Sequence, residues 1–240
     1  FDVSKSMAAT DLAPTRLEAA RAAAKDFVAR QPRTVVIGVV AFSDSGFAVQ
    51  APSNDPATVN AAIDRLAPQT GTSLGQGIQN ALNAIALAES DQTKGFYTNR
   101  SPEPTATLAP VPAGTHRSAS IVLLTDGEDT QPRPDPIQSA QAAADRGIRI
   151  YTVGIGSDAG ADVQVGDFTV HSALDAGMLA QIAQLTGGQY FPAQSVADLH
   201  TIYDSIDPRI EFRNQQTELT AILAGFGLVL LLAGALASLA

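Results

Sequence analysis

The chain contains no cysteine. That absence removes disulfide frameworks, thiolate nucleophiles, zinc ribbons and iron–sulfur clusters together. Basic residues are also scarce, with 15 Lys plus Arg against 24 Asp plus Glu and a formal charge of −9, so binding through neutralised phosphates is disfavoured and no nucleic-acid partner is expected. Histidine is limited to His116, His171 and His200, which lack metal-ligand spacing. Gly154, Gly156 and Gly160 miss the dinucleotide-binding spacing by one residue, and no Gly-Lys-Ser/Thr follows Gly71 to form a phosphate loop. Ser118 and Ser120 have no base that the sequence identifies, which leaves no case for nucleophilic catalysis. What is present is apolar material: 45% of 240 residues, enough for the core of a single α/β domain with an additional segment.

That additional segment is the C-terminus. Leu219 to Ala240 runs for 22 residues without a charge. At about 1.5 Å per residue a helix of this length spans the roughly 30 Å hydrocarbon layer, so residues 219–240 read as a transmembrane helix behind a 207–218 juxtamembrane linker. The linker mixes Arg209 and Arg213 with Asp207, Glu211 and Glu218, which gives no orientation. Gly234 and Ser238 form a small-xxx-small pair suited to packing against another membrane helix.

Residues 1–206 alternate strand-length apolar runs with helix-length stretches, the pattern of a mostly parallel sheet covered by helices. Helices are expected over Thr15–Ala29, Pro56–Leu66, Ser73–Ala88, from Pro136, over Ala176–Leu185 and over Val196–Ile206. Strands are expected at Thr34–Phe42, Ala119–Thr125, Ile148–Ile155 and Gln189–Phe191, with Gly46–Ala51 turning back as an antiparallel strand. Pro102, Pro104, Pro110 and Pro112 mark 91–118 as an exposed insertion. The chain opens at Phe1 on what reads as the last residue of a strand, so it is expected to be N-terminally truncated with its first strand mostly missing.

Asp2, Ser4 and Ser6 follow that strand end two residues apart. In extended backbone this spacing sends one carboxylate and two hydroxyls to the same side. An all-oxygen set suits a hard divalent cation: Mg2+ first, then Mn2+ or Ca2+. Thr72 precedes a helix and Asp126 ends a buried strand, and loops at the carboxyl ends of parallel strands share one crevice.

Asp2-Val-Ser4-Lys5-Ser6-Met7, Thr72-Ser-Leu-Gly75 and Thr125-Asp126-Gly127 together resemble the three metal-site segments of a von Willebrand factor type A domain. The resemblance implies an α/β fold with a doubly wound, mostly parallel sheet and one antiparallel edge strand. It also implies that Ser4, Ser6 and Thr72 give hydroxyl oxygens to the ion, while Asp2 and Asp126 bind it directly or through water. Lys5 stands where many relatives have Gly; it either attracts an acidic partner or is simply solvated. A domain of this type followed by a membrane helix, with Ala9 to Arg16 after the first metal loop, is similar to bacterial Bat-like aerotolerance proteins. That similarity implies an extracytoplasmic domain working beside other membrane proteins.

An ion held by neutral hydroxyls keeps much of its positive charge, so an Asp or Glu from a partner protein can complete its coordination. The expected function is metal-dependent protein binding, and the chain is not expected to be an enzyme. One alternative is a Mg2+-dependent phosphohydrolase of the haloacid-dehalogenase type, although Ser4 occupies the place of its second Asp. A second is a structural membrane scaffold with a vestigial site.

Overall fold

The computed structural model describes residues 1–44, 46–94, 119–131, 133–157, 160–165 and 168–205. The predicted juxtamembrane and transmembrane segments lie outside the described residues, as does the Pro-rich insertion from residue 95 onward. Among the described residues no helix is long and apolar enough to cross a membrane.

In chain order the strands are β1 (Ile37–Phe42), β2 (Gly46–Ser53), β3 (Ser120–Thr125), β4 (Arg149–Ile155), β5 (Ala161–Val165), β6 (Phe168–Ser172) and β7 (Tyr190–Ala193). The α-helices are α1 (Arg16–Arg30), α2 (Pro56–Asp64), α3 (Leu74–Lys94), α4 (Pro136–Asp145), α5 (Ala176–Thr186) and α6 (Val196–Ser205), and a 3-10 turn covers Lys5–Ala8. β3, β4 and β7 pair in parallel, and β2 pairs antiparallel with β1. The segment Phe1–Val3 joins these two groups. The Asp2 amide donates to the Leu124 carbonyl, the Val3 amide to the Phe42 carbonyl, and the Phe42 amide to the Phe1 carbonyl, at 2.8–2.9 Å. The order is therefore β2, β1, Phe1–Val3, β3, β4, β7; Phe1–Val3 bridges β1 in parallel, and β2 is an antiparallel edge.

Strand periodicity explains the two layers. Side chains alternate across a strand, so Ile121 and Leu123 enter one core and Leu124 the other. The first core gathers Leu17, Ala20 and Ala24 of α1, Ile63 of α2 and Leu199 of α6 over Val3, Leu124 and Val153. The second gathers Leu74 and Ile78 of α3, Ala140 of α4 and Ile182 of α5 over Phe42, Leu123 and Ile150. The helix starts follow from local chemistry. Thr15 accepts from the Glu18 amide at 3.1 Å at the head of α1, the arrangement expected of a Thr-x-x-Glu start. Asp55-Pro56 and Asp135-Pro136 open α2 and α4, each Asp capping two free amides while the Pro occupies a position that needs no donor.

Three expectations need correction. β1 begins at Ile37 rather than Thr34, because the Val35 amide closes a turn onto the Pro32 carbonyl. α3 continues to Lys94 instead of ending at Ala88, since no Gly or Pro intervenes before Gly95. The antiparallel hairpin β5–β6 was not expected at all, although Val163 and Val165, then Phe168 and Val170, alternate with polar residues on either side of Gly166-Asp167.

Candidate metal centre

Asp2 leaves the Phe1–Val3 segment fully buried, with both carboxylate oxygens engaged. Its Oδ1 accepts from the Ser4 amide at 2.7 Å and its Oδ2 from the Thr125 hydroxyl at 2.6 Å. Ser4 has extended backbone, but Ser6 lies within the 3-10 turn, so the strand-like spacing expected through Ser6 holds only as far as Ser4. The turn tightens because the Met7 and Ala9 amides bond the carbonyls of Ser4 and Ser6. It still brings the two hydroxyls together, with Ser4 Oγ and Ser6 Oγ 2.8 Å apart.

Thr72 reaches the same place from the loop before α3. Gly71 adopts a positive φ of 79° in contact with Asp44, which a side chain would strain. Thr130 then fixes the loop: its hydroxyl accepts from the Thr72 amide at 2.9 Å and donates to the Thr72 carbonyl at 3.3 Å. Ser4, Ser6 and Thr72, with Glu128, Val163 and Ser172, line an open cavity of about 130 Å3. Asp2 and Asp126 do not line it; both are fully buried.

Asp126 is held from three directions. Its Oδ1 accepts from the Glu128 amide at 3.3 Å, and its Oδ2 accepts from Arg16 Nη1 and from the Ser172 hydroxyl, each at 3.1 Å. Arg16 is itself fully buried and bonds Asp11 through Nε and Nη2, both at 2.8 Å. The sequence marked Thr125 only as part of the Thr125-Asp126-Gly127 segment and gave no role to Arg16, Ser172 or Thr130. Arg16 left a trace, because a cation in the first turn of a helix opposes the macrodipole and needs a local anion. Ser172 belongs to the unexpected hairpin and left none.

The charges in this cluster are unevenly placed. Burial first, and then the negative charge of Asp126, push the Asp2 carboxyl up to about 7 against the hydrogen bonds from Ser4 and Thr125. Burial and Asp126 also raise Glu128. For Arg16 burial favours the neutral form, but the hydrogen bonds and charge of Asp11, followed by the charges of Asp126 and Glu128, outweigh it and raise the guanidinium.

This donor set fits a hard divalent cation. Hydroxyls at the cavity wall, with the buried Asp2 and Asp126 carboxylates behind them, favour an oxygen-seeking ion. Among the described residues no group of three or more His, Cys, Asp or Glu side chains could hold one instead. Ser4, Ser6 and Thr72 would hold the ion, with Asp2 and Asp126 backing them. The ion would supply Lewis acidity toward an anionic oxygen.

A three-layer α/β fold with hydroxyl-bearing loops at the carboxyl edge of its parallel strands defines the class. The chain belongs to the von Willebrand factor type A domain family, whose model matches residues 1–128. It is 30% identical over 249 residues to a UPF0353 protein of Nocardia farcinica, covering 98% of this chain and 68% of that relative. The fold is shared with BatB of Bacteroides thetaiotaomicron at a TM-score of 0.65 and 22% identity, over 85% of this chain and 92% of that one. An aerotolerance-related membrane protein of Bacteroides fragilis matches with the same TM-score and coverage at 20% identity. Proximal thread matrix protein 1 from mussel byssus, with a zinc-occupied MIDAS motif, matches at 0.55 and 20% identity, over 85% of this chain and 42% of that one.

Proposed function

We propose that this chain is a membrane-anchored protein-binding domain in which a divalent cation, Mg2+ before Mn2+ or Ca2+, bridges Ser4, Ser6 and Thr72 to an Asp or Glu of a partner protein. The observation that carries this reading is the cavity wall itself: Ser4 Oγ and Ser6 Oγ meet at 2.8 Å, with Thr72 lining the same space and both aspartates withdrawn behind it. An ion held by neutral oxygens retains charge for one more anionic ligand. The zinc-occupied motif in the mussel protein supports metal at this kind of fold. The apolar stretch 219–240 and the membrane origin of the Bacteroides fragilis protein support tethering, with the domain facing out of the cytoplasm beside other membrane proteins.

The test is capture of partners by the full chain from detergent-solubilised membranes, in Mg2+ and in EDTA, followed by mass spectrometry. Partners should be lost in EDTA and lost again with Asp126→Ala, whereas retention under either condition would sink the reading. A chromogenic phosphate should remain uncleaved in the same preparations.

A further inference from the structure

Arg16 shares one buried positive charge between two carboxylates, which a simple structural ion pair does not require. Asp11 grips Nε and Nη2 at 2.8 Å each, leaving Nη1 to donate to Asp126 Oδ2 and to the Ser172 hydroxyl, each at 3.1 Å. Asp11 in turn accepts from the amides of Leu12 and Ser157 at 3.1 and 3.3 Å, which fixes the carboxylate that fixes the guanidinium. The fold leaves room for this group. Gly156 directly follows β4 with φ of 133°, and a Cβ there would stand 2.9 Å from the guanidinium carbon. Thus α1, the end of β3, the end of β4 and the last residue of β6 all close around one cation.

The cation thus engages Oδ2 of Asp126, an aspartate buried behind the cavity wall. We propose that Arg16 is the built-in counter-cation of the metal centre: it withdraws the charge of Asp126 from a divalent ion, so that the domain binds the ion weakly by itself and depends on a partner's carboxylate to hold it. This rests on the metal-bridging reading above. It assigns Arg16 a positioning and charge-setting role, and it predicts a sign that a purely structural role does not. Removing a merely structural arginine should weaken every property of the site, whereas removing a counter-cation should tighten cation binding.

The experiment is calorimetric titration of the full chain in detergent with Mn2+, with circular dichroism to verify folding. Arg16→Gln should bind Mn2+ more tightly, by about tenfold, because the buried guanidinium behind the cavity wall no longer repels the divalent ion. Asp11→Asn should act in the opposite direction and weaken Mn2+ binding severalfold, since the guanidinium then leans wholly on Asp126. Equal or weaker binding by a folded Arg16→Gln overturns the proposal. If that variant does not fold, Asp11→Asn decides, and equal or tighter binding by it overturns the proposal. No Mn2+ uptake by either the wild type or a folded Arg16→Gln removes the metal-bridging reading together with this one. Wild-type uptake with both variants unmoved removes this one alone.

Discussion

Gly75→Ala is expected to lower stability by about 3 kcal/mol and to weaken Mn2+ uptake at the same time. A Cβ on residue 75 would lie 1.9 Å from the Pro134 carbonyl oxygen and 2.7 Å from the carbon bearing it. Both atoms are backbone, so no rotamer change relieves the overlap. Either the first turn of α3 or the loop ahead of α4 must move. The first choice drags Thr72, three residues upstream; the second disturbs Thr130 and Gln131, whose amides bond the Thr72 carbonyl at 3.1 and 2.9 Å. Both routes displace a hydroxyl of the cavity wall. For a domain of this size the loss corresponds to a fall in melting temperature of roughly 6–12 °C. Thermal unfolding by circular dichroism checks it, and a variant melting with the wild type would contradict the packing at this helix start.

Ile182→Ala is expected to be just as damaging to stability and nearly silent at the metal centre. Ile182 is fully buried on α5 among Leu179, Ile148 and Ile150. Truncating such a side chain removes burial and leaves a cavity, which costs about 2–5 kcal/mol. Residue 182 lies seven positions beyond Asp175, the cap of α5 that approaches the Asp126 loop, or about 10 Å along the helix. Urea unfolding should therefore show a clearly reduced midpoint, while the Mn2+ affinity of the folded fraction stays within twofold of the wild type. A large change in that affinity would mean that the second core and the centre are coupled through α5.

These variants also mark what could be read from the residues alone. Leu123 and Leu124 stand in an uninterrupted apolar run, so β3 could be recognised as a strand buried on both faces. Asp-Pro pairs announced α2 and α4 because capping and proline geometry act locally. Asp2, Ser4 and Thr72 were legible as oxygen donors for a similar reason: each closes or follows an element that its own neighbours specify. Arg16 was not, because its function depends on carboxylates 5 residues before it and 110 residues after it. Only the three-dimensional meeting of α1 with the ends of β3 and β6 makes it part of the centre. The β5–β6 hairpin differs: its apolar–polar alternation stands in the chain, but each strand is only five residues long, too short for a strong periodic signal.

The Phe1–Val3 segment gives one more consequence. Among the described residues β1 and β3 are bridged through it rather than to each other, and the same three residues carry Asp2. Cohesion of the sheet and occupancy of the cavity thus meet along a single seam, and a bound ion would act on it like a rivet. Hydrogen–deuterium exchange should show this directly: the amides of Asp2, Val3 and Phe42 slow on adding Mn2+, while those of β4 and β7 keep their rates.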